Sequence, residues 1–164
     1  MTKYVYLFNE GNKDMRDLLG GKGANLSEMT NMDLPVPYGF IVTTEACLEY
    51  YKNNKNINEN IIKEIKDAII KLEEKTDKKF GDINNPLLVS VRSGSPVSMP
   101  GMMDTILNLG LNDDIAKAIA SDEDSTRFIY DSYRRLIMMF ADVVKGKDKS
   151  EFEKIITLKK QKRN

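Results

Sequence analysis

Residues 57–91 read INENIIKEIKDAIIKLEEKTDKKFGDINNPLLVSV, and the fold turns on them. Ile57, Ile61, Ile65, Ile69 and Leu72 fall four, four, four and three apart, with Ile62 and Ala68 alongside. That spacing predicts one apolar stripe on an otherwise charged helix. Asp67 with Lys71, and Glu74 with Lys78, stand at the spacing that lets charges pair along a helix surface. Gly81 is expected to stop the helix. Leu87-Leu88-Val89-Ser90-Val91 then reads as a buried strand. A one-faced helix leading into a β-rich run argues for an α/β or α+β arrangement and against an all-β one.

The same alternation extends toward the N-terminus. Tyr4-Val5-Tyr6-Leu7-Phe8 is a β-rich apolar run. Gly20-Gly21-Lys22-Gly23 opens a helix-like stretch whose apolar positions are Ala24, Leu26 and Met29. Asp33-Leu34-Pro35-Val36-Pro37 cannot be helix interior. Gly39 to Thr43 reads as a second strand, and Thr43 or Thr44 is placed to cap a helix through Cys47, Leu48, Tyr50 and Tyr51. Beyond Gly110 the pattern turns helical. A short helix is expected from Asn112 to Ala120, with Asp113 and Asp114 in its first turn. Asp122-Glu123-Asp124 reads as an acidic turn. A longer helix follows from Ser125 to Lys145, with the stripe Ile129, Tyr133, Leu136, Ile137, Phe140, Val143 and Val144, and Gly146 ends it. Residues 147–164 read as one weak helix running into a solvated basic tail, Lys159-Lys160-Gln161-Lys162-Arg163-Asn164.

Composition narrows the function. The chain has 164 residues, enough for one ordinary domain, and 41% of them are apolar while 30% are charged. Its 25 basic and 25 acidic residues cancel. That argues against a protein built to neutralise nucleic-acid phosphates or to sit on anionic lipid. No apolar run approaches the roughly 18 residues of a membrane span. The start lacks a secretory signal, and the single cysteine, Cys47, cannot form an internal disulfide, so a cytoplasmic location is expected. Histidine is absent altogether, which removes the commonest general base, the commonest zinc ligand and any phosphohistidine. Phosphate chemistry would fall to Lys, Arg, backbone amides and a carboxylate-held metal.

Three stretches fit such chemistry. In residues 20–26, GGKGANL, glycines ahead of a helix free N–H groups to face an anion, and Lys22 adds a point charge. The spacing is not that of a Walker A loop, and the residues also read as a plain turn with a solvated lysine. Arg92 ends the strand in VSVRSGS, where a guanidinium can grip phosphate with two hydrogen bonds; it also reads as a cap on a sheet edge. Residues 96–110, PVSMPGMMDTILNLG, gather three methionines around a Pro-Gly turn, which reads as a binding loop or lid, or as core filling. Met138 and Met139 read as packing residues of the long helix.

Taken together, GGKGANLSEM, LPVPYGFIVTTEA and VRSGSPVSMPGMMDTILNLG resemble the pyruvate, phosphate dikinase family. The likeness continues through FIYDSYRRLI and MFADVV and covers residues 3 to about 146. The next loop of the related pyruvate, water dikinases differs. The resemblance implies an α+β fold: residues 1–110 as the first part of an ATP-grasp nucleotide-binding domain, with a mixed sheet and helices. Residues 111–146 would be an all-helical insert subdomain and residues 147–164 a divergent basic tail. It implies transfer of phosphoryl groups among ATP, phosphate and pyruvate through a phosphohistidine, giving AMP, pyrophosphate and phosphoenolpyruvate. Lys22, Arg92, Gly101, Met103, Asp104 and Thr105 would bind the nucleotide, and the loop from Gly101 to Thr105 would close over its phosphates. Mg2+ would accompany ATP on ligands outside this chain. The partners implied are ATP, phosphate and the remaining domains of a homodimeric full-length enzyme. Family members run to several times this length, and no catalytic residue or metal ligand is expected here. The isolated chain is expected to be inactive and to associate; the alternative is a truncated nucleotide-binding module or a non-functional fragment.

Overall fold

The computed structural model describes residues 2–94 and 104–162. Residues 2–78 make one compact unit; residues 79–93 and 104–162 make a second. Both mix helices with a small antiparallel sheet, so the chain is α+β.

In the first unit, β1 (Val5–Leu7) pairs with β2 (Phe40–Val42), Val5 opposite Val42 and Leu7 opposite Phe40. A two-stranded sheet is marginal by itself. Helix α1 (Arg16–Asn31) packs on β2 and on α2 (Thr44–Lys52), and α3 (Glu59–Thr76) packs on β1. Val5, Leu19, Ala24, Ala46, Ile61, Ala68 and Leu72 are the buried apolar residues of these elements. Of the two candidate caps, Thr43 is the one used: its hydroxyl accepts from the Ala46 N–H at 3.3 Å. The outward N–H groups of β1 end on carboxylates. Glu64 of α3 accepts from Tyr4 and Val5 at 2.8 and 2.9 Å, and Glu10 accepts from Leu7 at 2.7 Å.

Helix α3 departs from its sequence reading at both ends. Asn58 is the N-cap, accepting from the Asn60 N–H at 2.9 Å, so Ile57 lies outside the helix and is exposed. The helix stops at Asp77, which takes the left-handed conformation (φ 52°), four residues before Gly81. Aspartate tolerates that conformation because its short polar side chain bonds locally. Neither Asp67–Lys71 nor Glu74–Lys78 forms an ion pair among the described residues. Exposed pairs of this kind contribute only a few tenths of a kcal/mol, too little to hold two long side chains together.

In the second unit, β3 (Val89–Arg92) pairs with β4 (Thr105–Leu109), with an irregularity between Val89 and Val91. Strand β3 is shorter than expected and not buried: Ser90, Val91 and Arg92 are exposed. Ile106 of β4 is buried, while Val91 opposite it on the same face stays exposed. Ile106 joins Leu111, Ile115 and Ala116 at helix α4 (Asp113–Ile119) with Ile129 and Leu136 of α5 (Glu123–Val143) in one buried cluster. Each large aliphatic side chain so buried contributes about 1.5–3 kcal/mol. Asn112 caps α4, accepting from the Ile115 N–H at 2.9 Å.

Asp122-Glu123-Asp124 is not a turn but the start of α5. The Asp122 carboxylate accepts from the Ser125 N–H at 2.8 Å, while Ser125 Oγ accepts from the Asp122 N–H at 3.1 Å. This reciprocal cap satisfies two of the amides that a helix start leaves open. At the other end Gly146 (φ 61°) and Lys147 donate back to Asp142 and Ala141, closing the helix around a left-handed glycine. The stripe of α5 is only half used. Ile129 and Leu136 are buried, whereas Ile137, Phe140, Val143 and Val144 remain exposed, and Met138 and Met139 are half-buried. Helix α6 (Lys149–Gln161) buries no residue.

Candidate functional site

Gly20 organises the surroundings of Lys22 in the first unit. Its φ of 69° and ψ of 166° break α1, so Gly21, Lys22 and Gly23 form the opening turn of a second helical segment. That region of backbone space is essentially reserved for glycine. A helix restarted there presents N-terminal amides and the positive end of its dipole beside the Lys22 ammonium. Lys22 is half-buried and makes no ion pair with a described residue. Gly23 has a different task. A β-carbon there would sit 3.1–3.2 Å from the Ile41 side chain, so the bare backbone lets α1 lie close on β2.

In the second unit, the β3–β4 hairpin organises the surroundings of Arg92. Arg92 is the last residue of β3 and stands opposite Thr105, the first of β4. Directly opposed residues of an antiparallel pair project to the same face, about 4.5–5.5 Å apart at Cβ. The guanidinium and the threonine hydroxyl therefore share a face. The next pair out is Ser93 and Asp104, on the opposite face by the alternation of strand side chains. Ser93 fixes that step twice, its N–H at 3.0 Å and its Oγ at 3.2 Å, both donating to the Asp104 carbonyl. Arg92 is exposed and makes no ion pair with a described residue; Thr105 is half-buried.

Two sequence expectations change here. Thr105 belongs to a strand and not to the loop, because Thr105-Ile106-Leu107-Asn108-Leu109 is a β-forming run whose Ile106 enters the core. Asp104 lies on the face away from Arg92. Its charge helps lift the Lys149 ammonium above the usual range, a smaller effect than that of Asp142, whose carboxylate meets Lys149 at 2.7 Å. The structure thus brings Arg92, Asp104 and Thr105 to one hairpin end, and it places Lys22 on α1 of the first unit. Gly101 and Met103, with Met99 and Met102, lie outside the described residues. Sequence reasoning missed Ser93, whose partner is eleven residues away.

Among the described residues no three His, Cys, Asp or Glu side chains are grouped to hold a metal. The acids near the hairpin, Asp104 and Asp142, are set against Lys149 and do not form a magnesium cage.

The sequence pattern of the pyruvate phosphate dikinase AMP/ATP-binding domain matches residues 16–68 and 54–135. The chain belongs to that family. It is 58% identical over 163 residues to pyruvate, phosphate dikinase of Clostridium symbiosum, covering 99% of this chain and 19% of that protein. It is 49% identical over 160 residues to the enzyme of Rhizobium meliloti, covering 95% and 18%. The chloroplastic enzyme of Mesembryanthemum crystallinum is 48% identical over 163 residues, covering 97% and 17%. The chain thus spans about a fifth of the length of these relatives. No helix among the described residues is long and apolar enough to cross a membrane.

Proposed function

We propose that this chain supplies the first part of an ATP-grasp nucleotide site in a pyruvate, phosphate dikinase. The observation that carries the reading is the hairpin end, where Arg92, without an ion pair among the described residues, shares a face with Thr105. A guanidinium and a hydroxyl so placed suit the oxygens of a polyphosphate. Lys22, at a helix start, supplies a second cation of the same kind. Phosphoryl transfer needs little covalent help and much charge placed around the phosphates, and these residues offer that. Gly101, Met103 and Asp104 complete the proposed nucleotide-binding set.

In this reading the chain takes part in converting ATP, phosphate and pyruvate to AMP, pyrophosphate and phosphoenolpyruvate. With no histidine, it carries no phosphohistidine of its own. Mg2+ enters bound to the nucleotide, on ligands outside this chain. The working assembly would include the further domains of the full-length relatives, as a homodimer in the cytoplasm, and the chain by itself would not turn over.

Calorimetric titration of Mg-ATP into the chain tests the binding reading. Saturable binding is expected. Lys22→Ala and Arg92→Ala should each weaken it about 10- to 150-fold, the loss of one charge-assisted phosphate contact. Unchanged affinity in both variants would overturn the site.

A further inference from the structure

The Arg92–Thr105 pair has a feature that neither its charge nor its exposure explains. The residue that follows the arginine is tied to the opposite strand by two donors on one acceptor: the Ser93 N–H and the Ser93 hydroxyl both reach the Asp104 carbonyl, at 3.0 and 3.2 Å. The N–H bond is an ordinary ladder bond. The hydroxyl bond is an addition, and it takes up the carbonyl's second lone pair. It also occurs at the end of the ladder, where strands fray first, in a sheet of only two strands. Ser93 is exposed, so no core packing requires a serine there.

We propose that Ser93 is a positioning residue: its hydroxyl holds the end of the β3–β4 ladder in register so that the Arg92 guanidinium and the Thr105 hydroxyl face one anion, of the polyphosphate class. This rests on the nucleotide-site reading above. Ser93 does not touch the anion in this arrangement, because it lies on the opposite face; it acts through Arg92. Slippage or fraying by one residue would send Arg92 to the wrong face, since strand side chains alternate.

The test is a double-mutant cycle read by Mg-ATP affinity, with thermal midpoints measured alongside. Ser93→Ala should weaken binding about three- to tenfold, the loss of one neutral hydrogen bond. Ser93→Thr, which keeps the hydroxyl on a β-favouring residue, should bind like the parent. In an Arg92→Ala background, Ser93→Ala should add nothing further, because the residue it positions is gone. Full additivity of the two losses would overturn the proposal, as would a Ser93→Ala variant that melts lower yet binds normally. Unchanged binding in Arg92→Ala, with Ser93→Ala weakened, would instead fail the nucleotide-site reading and leave Ser93 as a purely structural clamp. Absence of any binding by the parent chain would overturn both.

Discussion

Gly20 and Ser27 lie seven residues apart on α1 and affect stability in opposite senses. Gly20 holds a conformation that a side chain resists, so Gly20→Ala should destabilise the chain by about 1–3 kcal/mol. It should also disturb the helix start that carries Lys22. Ser27 is fully buried, and its hydroxyl has no hydrogen-bond partner among the described residues. An unsatisfied buried hydroxyl costs about 1–3 kcal/mol. Ser27→Ala should therefore raise the denaturant midpoint, by an amount equivalent to about 1 kcal/mol; a lower midpoint would mean that the hydroxyl is held by something other than these side chains. The role proposed for Lys22 and Arg92 comes from the sequence, since a cation beside glycines or at a strand end advertises itself by type and spacing. Ser27 and Ser93 were not legible there. Their roles depend on what surrounds them after folding, and serine is too common to be marked by its own pattern.

Elements were legible where local chemistry decides them. Asn112 and Gly146 act as the caps and stops their residue types suggest. Where two signals competed, the less obvious one won: Asp77 ended α3 ahead of Gly81, and Asp122 became a cap in place of a turn residue. The caps make the helices sensitive to acid. The Ser125 N–H holds the Asp122 carboxyl below its ordinary value of 3.8, and the Ser150 N–H does the same for Asp148 at the start of α6. Arg134, with Arg135, lowers Asp131 within α5. Each group binds its proton less readily folded than unfolded, so its contribution is fully present above pH 3.8 and is lost as pH falls through the lower folded value. Thermal midpoints should therefore be flat near neutrality and drop on acidification below that point. Asp122→Asn, which keeps an accepting oxygen but cannot titrate, should lessen the drop. An acid transition of unchanged size in that variant would show that Asp122 is no part of it.

At the scale of the whole molecule, the division into two units was hidden from local reading. It requires residues 79–93 to join residues 104–162 across an intervening segment, and no periodicity reports such a return. What each unit leaves open is clearer. In the second, Leu109, Leu111, Leu136, Ile137, Phe140 and Ala141 line an apolar groove. Tyr38, Tyr51 and Phe128 are more than 60% exposed. Apolar surface of this kind draws proteins together. Sedimentation should show a mean mass that rises with concentration, and Ile137→Lys should lessen the rise; a monomer across the whole range would contradict this. The route of that association is constrained by the carboxylates on β1. A bare strand edge is a template for another chain's backbone. Glu64 and Glu10 already occupy the amides of Tyr4, Val5 and Leu7, and an incoming strand would have to displace two anions to extend that ladder. The first unit is thus guarded against fibrillar growth at β1 for as long as those glutamates remain in place. Association driven by the apolar groove would leave the amides of Tyr4, Val5 and Leu7 bonded as they are in the single chain.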